Sequence, residues 1–288
     1  MKFTKTLSIL LAIILLSCSG CSTVTFGYNH ADWLLRYWAY GYTSFTPGQK
    51  EEIRHDIDDY MRWHRKEALP EYIAFLQDLN TTIAQETLHT DDVIRVRSGM
   101  GRLYSYTLAP AVRPAAHILS TLDKGQIEEL RKTLIKQNLE EREESIFGNQ
   151  HSNLDTRAKK YVHSVEDLAG HLSHEQEEKI KTMSMGIPFV TDSYIEQRES
   201  RQAAMIALLK DHATEETINA FLAQWINKPV SPMSAQAQQA FDAYDKAMNE
   251  MLVQIFGLLT PRQKEHLHKK ITGYIDDFRQ LHAAAAQH

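Results

Sequence analysis

Apolar residues recur along this chain at the spacing of an α-helix. After Pro47 they stand at i, i+4, i+7 and i+8, at Ile53, Ile57, Tyr60 and Met61. After Pro261 the same spacing returns at Leu267, Ile271, Tyr274 and Ile275. Each set forms one apolar stripe on a helix, so each helix is expected to bury one side. No stretch alternates with period two for long enough to form a strand, and the pattern predicts an all-α fold.

The two striped helices begin with related sequences, Phe-Thr-Pro-Gly-Gln at 45–49 and Leu-Thr-Pro-Arg-Gln at 259–263. In each, the threonine caps the first turn, the proline occupies the first helical position, and the glutamine can bond back to the cap. Weaker copies have Asp123 and Ser173 as caps. Subtraction of residue numbers gives intervals of 77 from Thr46 to Asp123 and 87 from Ser173 to Thr260. These similar intervals suggest two similar helical halves as a further hypothesis.

Read in order, the pattern predicts a multi-helix bundle of about ten helices. Caps and breaks place their boundaries at about 29–42, 47–68, 70 onward, 90–106, 110 onward, 123 onward, 154–170, 174–185, 190–211, 214–225, 234–257 and 261–283. The segment 148–153, Gly-Asn-Gln-His-Ser-Asn, is the best internal linker. We therefore expect one helical domain at 29–288 with a subdomain seam near 148–153.

Residues 1–20 predict a lipoprotein signal peptide. A basic start is followed by ten apolar residues, 7–16, which are too few to span a bilayer. Small residues and two cysteines come next, which resembles the lipobox of bacterial lipoproteins, whose cysteine is lipidated. Cys21 follows a glycine and is the favoured site, while Cys18, with Leu15 three residues before it, is the alternative. An ordinary cleaved secretory signal is the third interpretation.

The lipobox resemblance also implies a location. Neither cysteine is followed by Asp, which implies the periplasmic face of the outer membrane, with the lipid as the membrane contact. If Cys21 is the anchor, the mature chain has no second cysteine. A disulfide, a thiol nucleophile and a cysteine-based metal site are then excluded.

Residues 21–28 are expected to form a short tether, and a strongly aromatic helix follows it. That helix is apolar on nearly every side, at Trp33, Leu34, Leu35, Tyr37, Trp38, Tyr40 and Tyr42. It is expected either to be buried in the core or to place its rings among lipid headgroups, where tryptophan and tyrosine are favoured. The residues proposed for a contact surface are Trp33, Tyr37, Trp38, Trp63, His64 and Arg65.

Charge and chemistry narrow the function classes. The formal net charge is −5, and no basic patch is interleaved with aromatic residues, so nucleic acid is not an expected partner. Three Glu-x-x-His pairs have the spacing of helical di-iron ligands, but so many Glu and His residues produce such pairs by accident. We predict no catalytic residue, cofactor or metal site. Arg198 and Arg201 lie on an apolar helix side and are expected to pair with carboxylates or to line a groove.

Two family resemblances add to these predictions. Residues 20–22, 28–35 and 63–72 resemble a domain-of-unknown-function family of helical lipoproteins from Gram-negative bacteria, which implies a lipoprotein without an assigned activity. The Leu-Thr-x-x-Gln helix starts resemble those of the Spy/CpxP family of periplasmic stress chaperones.

We therefore expect an outer-membrane-anchored periplasmic lipoprotein, more in keeping with a protein-binding adaptor or chaperone-like module than with an enzyme. The protein partner is not identified by the sequence. An envelope-acting enzyme whose site is assembled only by the fold, and a structural lipoprotein lying against membrane or peptidoglycan, are the alternatives.

Overall fold

A computed structural model describes residues 23–144, 154–227 and 234–285. The predicted signal peptide, Cys18, Cys21 and the linker at 148–153 lie outside these ranges. Within them every regular element is helical, which confirms the all-α multi-helix prediction. None of the helices in these ranges is long and apolar enough to cross a bilayer.

The α-helices, in chain order, are α1 (Thr23–Asn29), α2 (Ala31–Tyr40), α3 (Pro47–Trp63), α4 (Leu69–Ile83), α5 (Thr90–Leu108), α6 (Val112–Ser120), α7 (Lys124–Glu144), α8 (Leu154–Ala169), α9 (His174–Met185), α10 (Thr191–Lys210), α11 (Glu215–Asn227), α12 (Ala235–Leu258) and α13 (Pro261–Ala285). A π-helical turn, His64–Ala68, joins α3 to α4, and a 3-10 turn, Ala109–Ala111, joins α5 to α6.

Most helix ends lie close to the positions that the caps predict, because a cap is a local interaction. Thr46 accepts a hydrogen bond from the backbone N–H of Gln49, whose side chain accepts one from the N–H of Thr46, so the predicted capping box is present. Two details differ. The sequence Thr90-Asp91-Asp92 has the composition of a helix cap, but the cap of α5 is His89, one residue earlier. The described part of the expected tether forms α1.

The buried side chains form two hydrophobic cores. One lies among α4, α8, α9, α12 and α13, with Leu172 and Ile180 each 1% exposed. The other lies among α6, α7, α10 and α11, with Ile218 also 1% exposed. Helices α10 and α11 follow α9 in the chain but pack with the earlier helices α6 and α7. The two cores therefore do not coincide with the two halves of the sequence.

At one end of each core, two helix starts are joined by a hydrogen bond between their buried capping glutamines. Nε2 of Gln126 donates to Oε1 of Gln49 at 2.8 Å, and Nε2 of Gln176 donates to Oε1 of Gln263 at 2.8 Å. The return bonds are 3.4 and 3.0 Å. The four related helix starts thus meet in two pairs, and the paired glutamines are 77 and 87 residues apart in the sequence. Each glutamine both completes its own capping box and ties two helix starts together.

Candidate functional site: an exposed aromatic face on the N-terminal helices

Helix α2 has no buried residue, although it is one of the most apolar segments of the described chain. At 3.6 residues per turn, four of its large side chains fall on one side. Their exposed fractions are 59% for Trp33, 49% for Leu34, 72% for Tyr37 and 60% for Trp38. We call these four residues the N-terminal aromatic face. This exposure rules out the expectation that α2 is a core helix, because only its opposite side meets the bundle.

The opposite side of α2 is attached to α3 by polar contacts. Arg36 donates to Asp58 of α3, and also to Asp32 one turn earlier on α2 at 3.0 Å. Further along, the hydroxyl of Tyr40 donates to the backbone carbonyl of Lys50 at 2.9 Å. These contacts run antiparallel along α3 and fix which side of α2 faces solvent.

The rings of the aromatic face are held by one another. Trp33 and Tyr37 stack with their centroids 5.7 Å apart and an interplanar angle of 17°. Trp38 meets Tyr42 edge-on at 4.8 Å. Both arrangements are favourable for aromatic pairs and restrict the side-chain rotamers. The face is therefore preorganised and carries no charged side chain.

Helix α1 is seated on the π-helical turn that follows α3. The hydroxyl of Tyr28 lies 2.7 Å from Nδ1 of His64, and the Arg65 guanidinium lies 5.4 Å above the Tyr28 ring. Arg65 also donates to the side-chain oxygen of Asn29 at 3.2 Å. The carbonyl of Arg65 lies 2.9 Å from Nδ1 of His282 in α13, so the π turn also meets the last helix. Single π turns inside helices occur frequently at functional sites.

The ring of His64 is surrounded by aromatic side chains. Its centroid lies 5.6 Å from that of Tyr28, 5.8 Å from Tyr60 and 5.5 Å from Tyr72. Burial lowers the pKa of His64 to about 4, and burial likewise raises the pKa of Tyr60 to about 12. At neutral pH the imidazole of His64 and the phenol of Tyr60 are therefore both uncharged.

The six residues predicted to form a contact surface therefore divide into two groups. Trp33, Tyr37 and Trp38 lie together on the exposed face. Trp63, His64 and Arg65 are only partly exposed and lie around the π turn, where the latter two hold α1. The sequence did not separate these roles, because apolar spacing does not tell which ring lies beneath another helix.

The candidate metal pairs do not converge. His55 faces Asp59 at 3.7 Å, Glu52 faces His117 at 3.8 Å, and Glu265 pairs with a lysine on its own helix. Across residues 23–144, 154–227 and 234–285, no group of three or more His, Cys, Asp or Glu side chains could hold a metal ion.

Two concave surfaces accompany these features. An open groove of about 530 Å³ lies between α9 and α12, where Met183 and Leu258 provide apolar surface beside Glu175, Glu178 and Lys179. A second pocket of about 350 Å³ lies where α5, α6, α10 and α11 meet and includes Arg198 in its wall. The sequence marked the arginines of α10, but it gave no sign of the tyrosines and tryptophan that surround them.

Comparison with known proteins gives one match. A family model described as "Family of unknown function (DUF6279)" matches residues 41–229. No curated protein and no solved structure matches the chain.

Proposed function

Because the chain belongs to the family of unknown function DUF6279, we propose its role from its sequence and surface. The protein is an outer-membrane-anchored lipoprotein of the periplasm. Its N-terminal aromatic face rests among the lipid headgroups, and its helical body binds other proteins as an adaptor or chaperone-like module. The observation that carries the proposal is the exposure of Trp33, Tyr37 and Trp38 just after the expected lipid anchor.

The aromatic face and the anchor are close enough in the chain to act on one membrane. Only 12 residues separate Cys21 from Trp33 by residue number, which spans at most about 40 Å when fully extended. Tryptophan and tyrosine are favoured at the membrane interface, where one part of the ring is apolar and the other is hydrated. The face adds apolar contact with the headgroup region to the attachment that the acyl chains provide.

The protein-binding part of the proposal is supported by the groove between α9 and α12. It is open, with apolar surface from Met183 and Leu258 in its walls. Such a surface suits a segment of a partner protein better than an enclosed small substrate. The resemblance of the helix starts to those of periplasmic stress chaperones points in the same direction.

The anchor is tested by lipid labelling and mass spectrometry of the N-terminal peptide. Cys21→Ser should abolish lipidation and move most of the protein from the membrane fraction to the soluble fraction, because the acyl chains provide most of the membrane affinity and the aromatic face alone binds weakly and reversibly. The Cys18→Ser variant is the control and should remain membrane-bound. A lipid found on Cys18 would show that the other register is used, and an unlipidated chain would refute the anchor.

The aromatic face is tested without the lipid, in a protein of residues 22–288 that lacks the signal peptide and both cysteines and is floated with an excess of anionic phospholipid vesicles. Replacing Trp33 and Trp38 with serine should abolish flotation while leaving the melting temperature nearly unchanged, because both side chains are mostly exposed. Leu139→Ser removes a side chain of matched exposure, 57%, on α7 and should float like the parent. Equal flotation of all three proteins would exclude the membrane role of the face.

A further inference from the structure

A buried cation without a hydrogen-bond partner among the described residues lies beside the pocket where α5, α6, α10 and α11 meet. Arg201 of α10 is only 7% exposed. None of its three guanidinium nitrogens has a hydrogen-bond partner in the part of the chain that is described. The same helix contributes Arg198 to the pocket wall, and no ion pair of Arg198 with a carboxylate is found among the described residues. The expected pairing of these arginines with carboxylates is therefore not found.

Aromatic side chains connect Arg201 to the pocket. Its guanidinium lies 5.8 Å from the ring centroid of Trp225, which lines the pocket together with Tyr104 and Tyr194. Burial lowers the pKa of the Arg201 guanidinium, and the two nearby phenols raise it by a smaller amount. An arginine nevertheless stays protonated in proteins. The result is a positive charge immediately behind an aromatic wall, with a second positive charge in the wall itself.

The other buried arginine provides a contrast. Arg157 is 2% exposed, stacks on the ring of Phe189 with a separation of 4.0 Å, and donates to the carbonyl of Ser184 at 2.8 Å. One of its nitrogens is thus satisfied by the protein. Arg201 has no such bond, although leaving a buried charge unpaired is costly. A ligand with a negative charge would offset that cost.

We propose that this pocket, which we call the arginine pocket, binds a small anion with an apolar body. The negative group, a carboxylate or a phosphate ester, pairs with Arg198 in the pocket wall and is also attracted by the charge of Arg201 behind Trp225. The apolar body lies against Trp225 and the aliphatic side chains of α6 and α11. The cavity of about 350 Å³ is at the small end of the range for ligand pockets, so the body is a short alkyl chain or a single aromatic ring. Site and ligand class go beyond the proposed membrane and protein contacts.

The test is isothermal titration of the purified full-length protein with octanoate and, separately, with phenyl phosphate. These two probes distinguish a carboxylate ligand from a phosphate ligand. Octan-1-ol, which has the same chain as octanoate but no charge, is the ligand control. We expect saturable binding of at least one anion, with octan-1-ol binding at least tenfold more weakly.

Variants locate the site. Arg198→Met should weaken binding at least tenfold, because it removes the positive charge in the pocket wall. Arg201→Met should weaken binding by a smaller factor, because it removes a charge that lies behind Trp225. The matched control is Arg279→Met, which removes a surface arginine that pairs with Asp276, and it should bind like wild type. Ala115→Trp fills the pocket and should abolish binding without removing a charge, which keeps the test decisive if the arginine variants do not fold.

Three results would overturn the proposal. They are the absence of saturable binding of both anions to wild type, equal binding of octan-1-ol, and wild-type affinity in both the Arg198→Met and the Ala115→Trp proteins.

Discussion

Replacing Gln263 with leucine tests whether the paired capping glutamines hold the helix starts together. Gln263 is 8% exposed, and its Nε2 donates to the carbonyl of His171 at 2.8 Å and to Oε1 of Gln176 at 3.0 Å. Its Oε1 accepts from the backbone N–H of Thr260 at 2.9 Å. Leucine has nearly the same size but cannot form any of these bonds. The variant therefore isolates the polar contribution from the packing contribution.

The expected cost follows from the groups that lose their partner. The amide of Gln176 is buried at 9% exposure and becomes partly unpaired, while the groups at His171 and Thr260 belong to residues that water reaches. A buried polar group left unpaired costs about 1–3 kcal/mol, and one that water can reach costs less. We expect Gln263→Leu to lower the free energy of unfolding by about 2–4 kcal/mol.

The assay is urea unfolding followed by far-UV circular dichroism, with Gln280→Leu as the control. Gln280 is an exposed glutamine on the same helix, so its replacement should change the free energy of unfolding very little. The double variant Gln176→Leu/Gln263→Leu should cost clearly less than the two single changes added together, because it removes both partners of one interaction. The reasoning would be refuted by single variants with the stability of wild type or by strictly additive costs.

The remaining predictions concern a cap, a core and the seat of α1. Thr46→Ala should cost about 0.5–2 kcal/mol by leaving first-turn N–H groups unpaired, and an unchanged urea midpoint would exclude its capping role. Ile218→Ala should cost about 2–5 kcal/mol because it leaves a cavity in the second core, whereas Ile135→Ala, at 47% exposure, should be nearly silent in the same experiment. The pKa of His64 is lowered from 6.5 to about 4 in the folded protein, so its contribution to stability is full above pH 6.5 and falls as the pH drops towards 4. The stability difference between wild type and His64→Phe should therefore change across this pH interval, and a constant difference would show that the ring titrates normally.

The helix boundaries were predictable because polar contacts between residues close in the sequence fix most helix starts. A capping threonine or serine and the glutamine three residues later interact within one turn, so the sequence alone places the starts of α3, α9 and α13. The same holds for the apolar stripe of Ile271 and Ile275, both of which are buried. Helical spacing of this kind depends only on the period of the helix.

The partners of these elements were less predictable, because chemically similar helix starts can pair in several ways. Four related motifs allow three pairings, and only the packing of the helices selects Gln49 with Gln126 and Gln176 with Gln263. The similar intervals in the sequence were compatible with this choice but did not require it. Tertiary packing also places α10 and α11 against the earlier helices α7 and α6.

The sequence by itself thus determined the helical class, the apolar stripes and the caps, since each depends on residues within two turns of one another. The tertiary structure alone decided which apolar surface is covered. The composition of α2 was compatible with burial in the core or with contact to lipid headgroups. In the fold α3 covers only one side of α2, and Trp38 remains 60% exposed. Arg201 shows the reverse case, because the fold buries this charged side chain. Its guanidinium lies near Trp225 and two tyrosines instead of a carboxylate. Burial depends on residues distant in sequence, and their meeting is a property of the whole bundle.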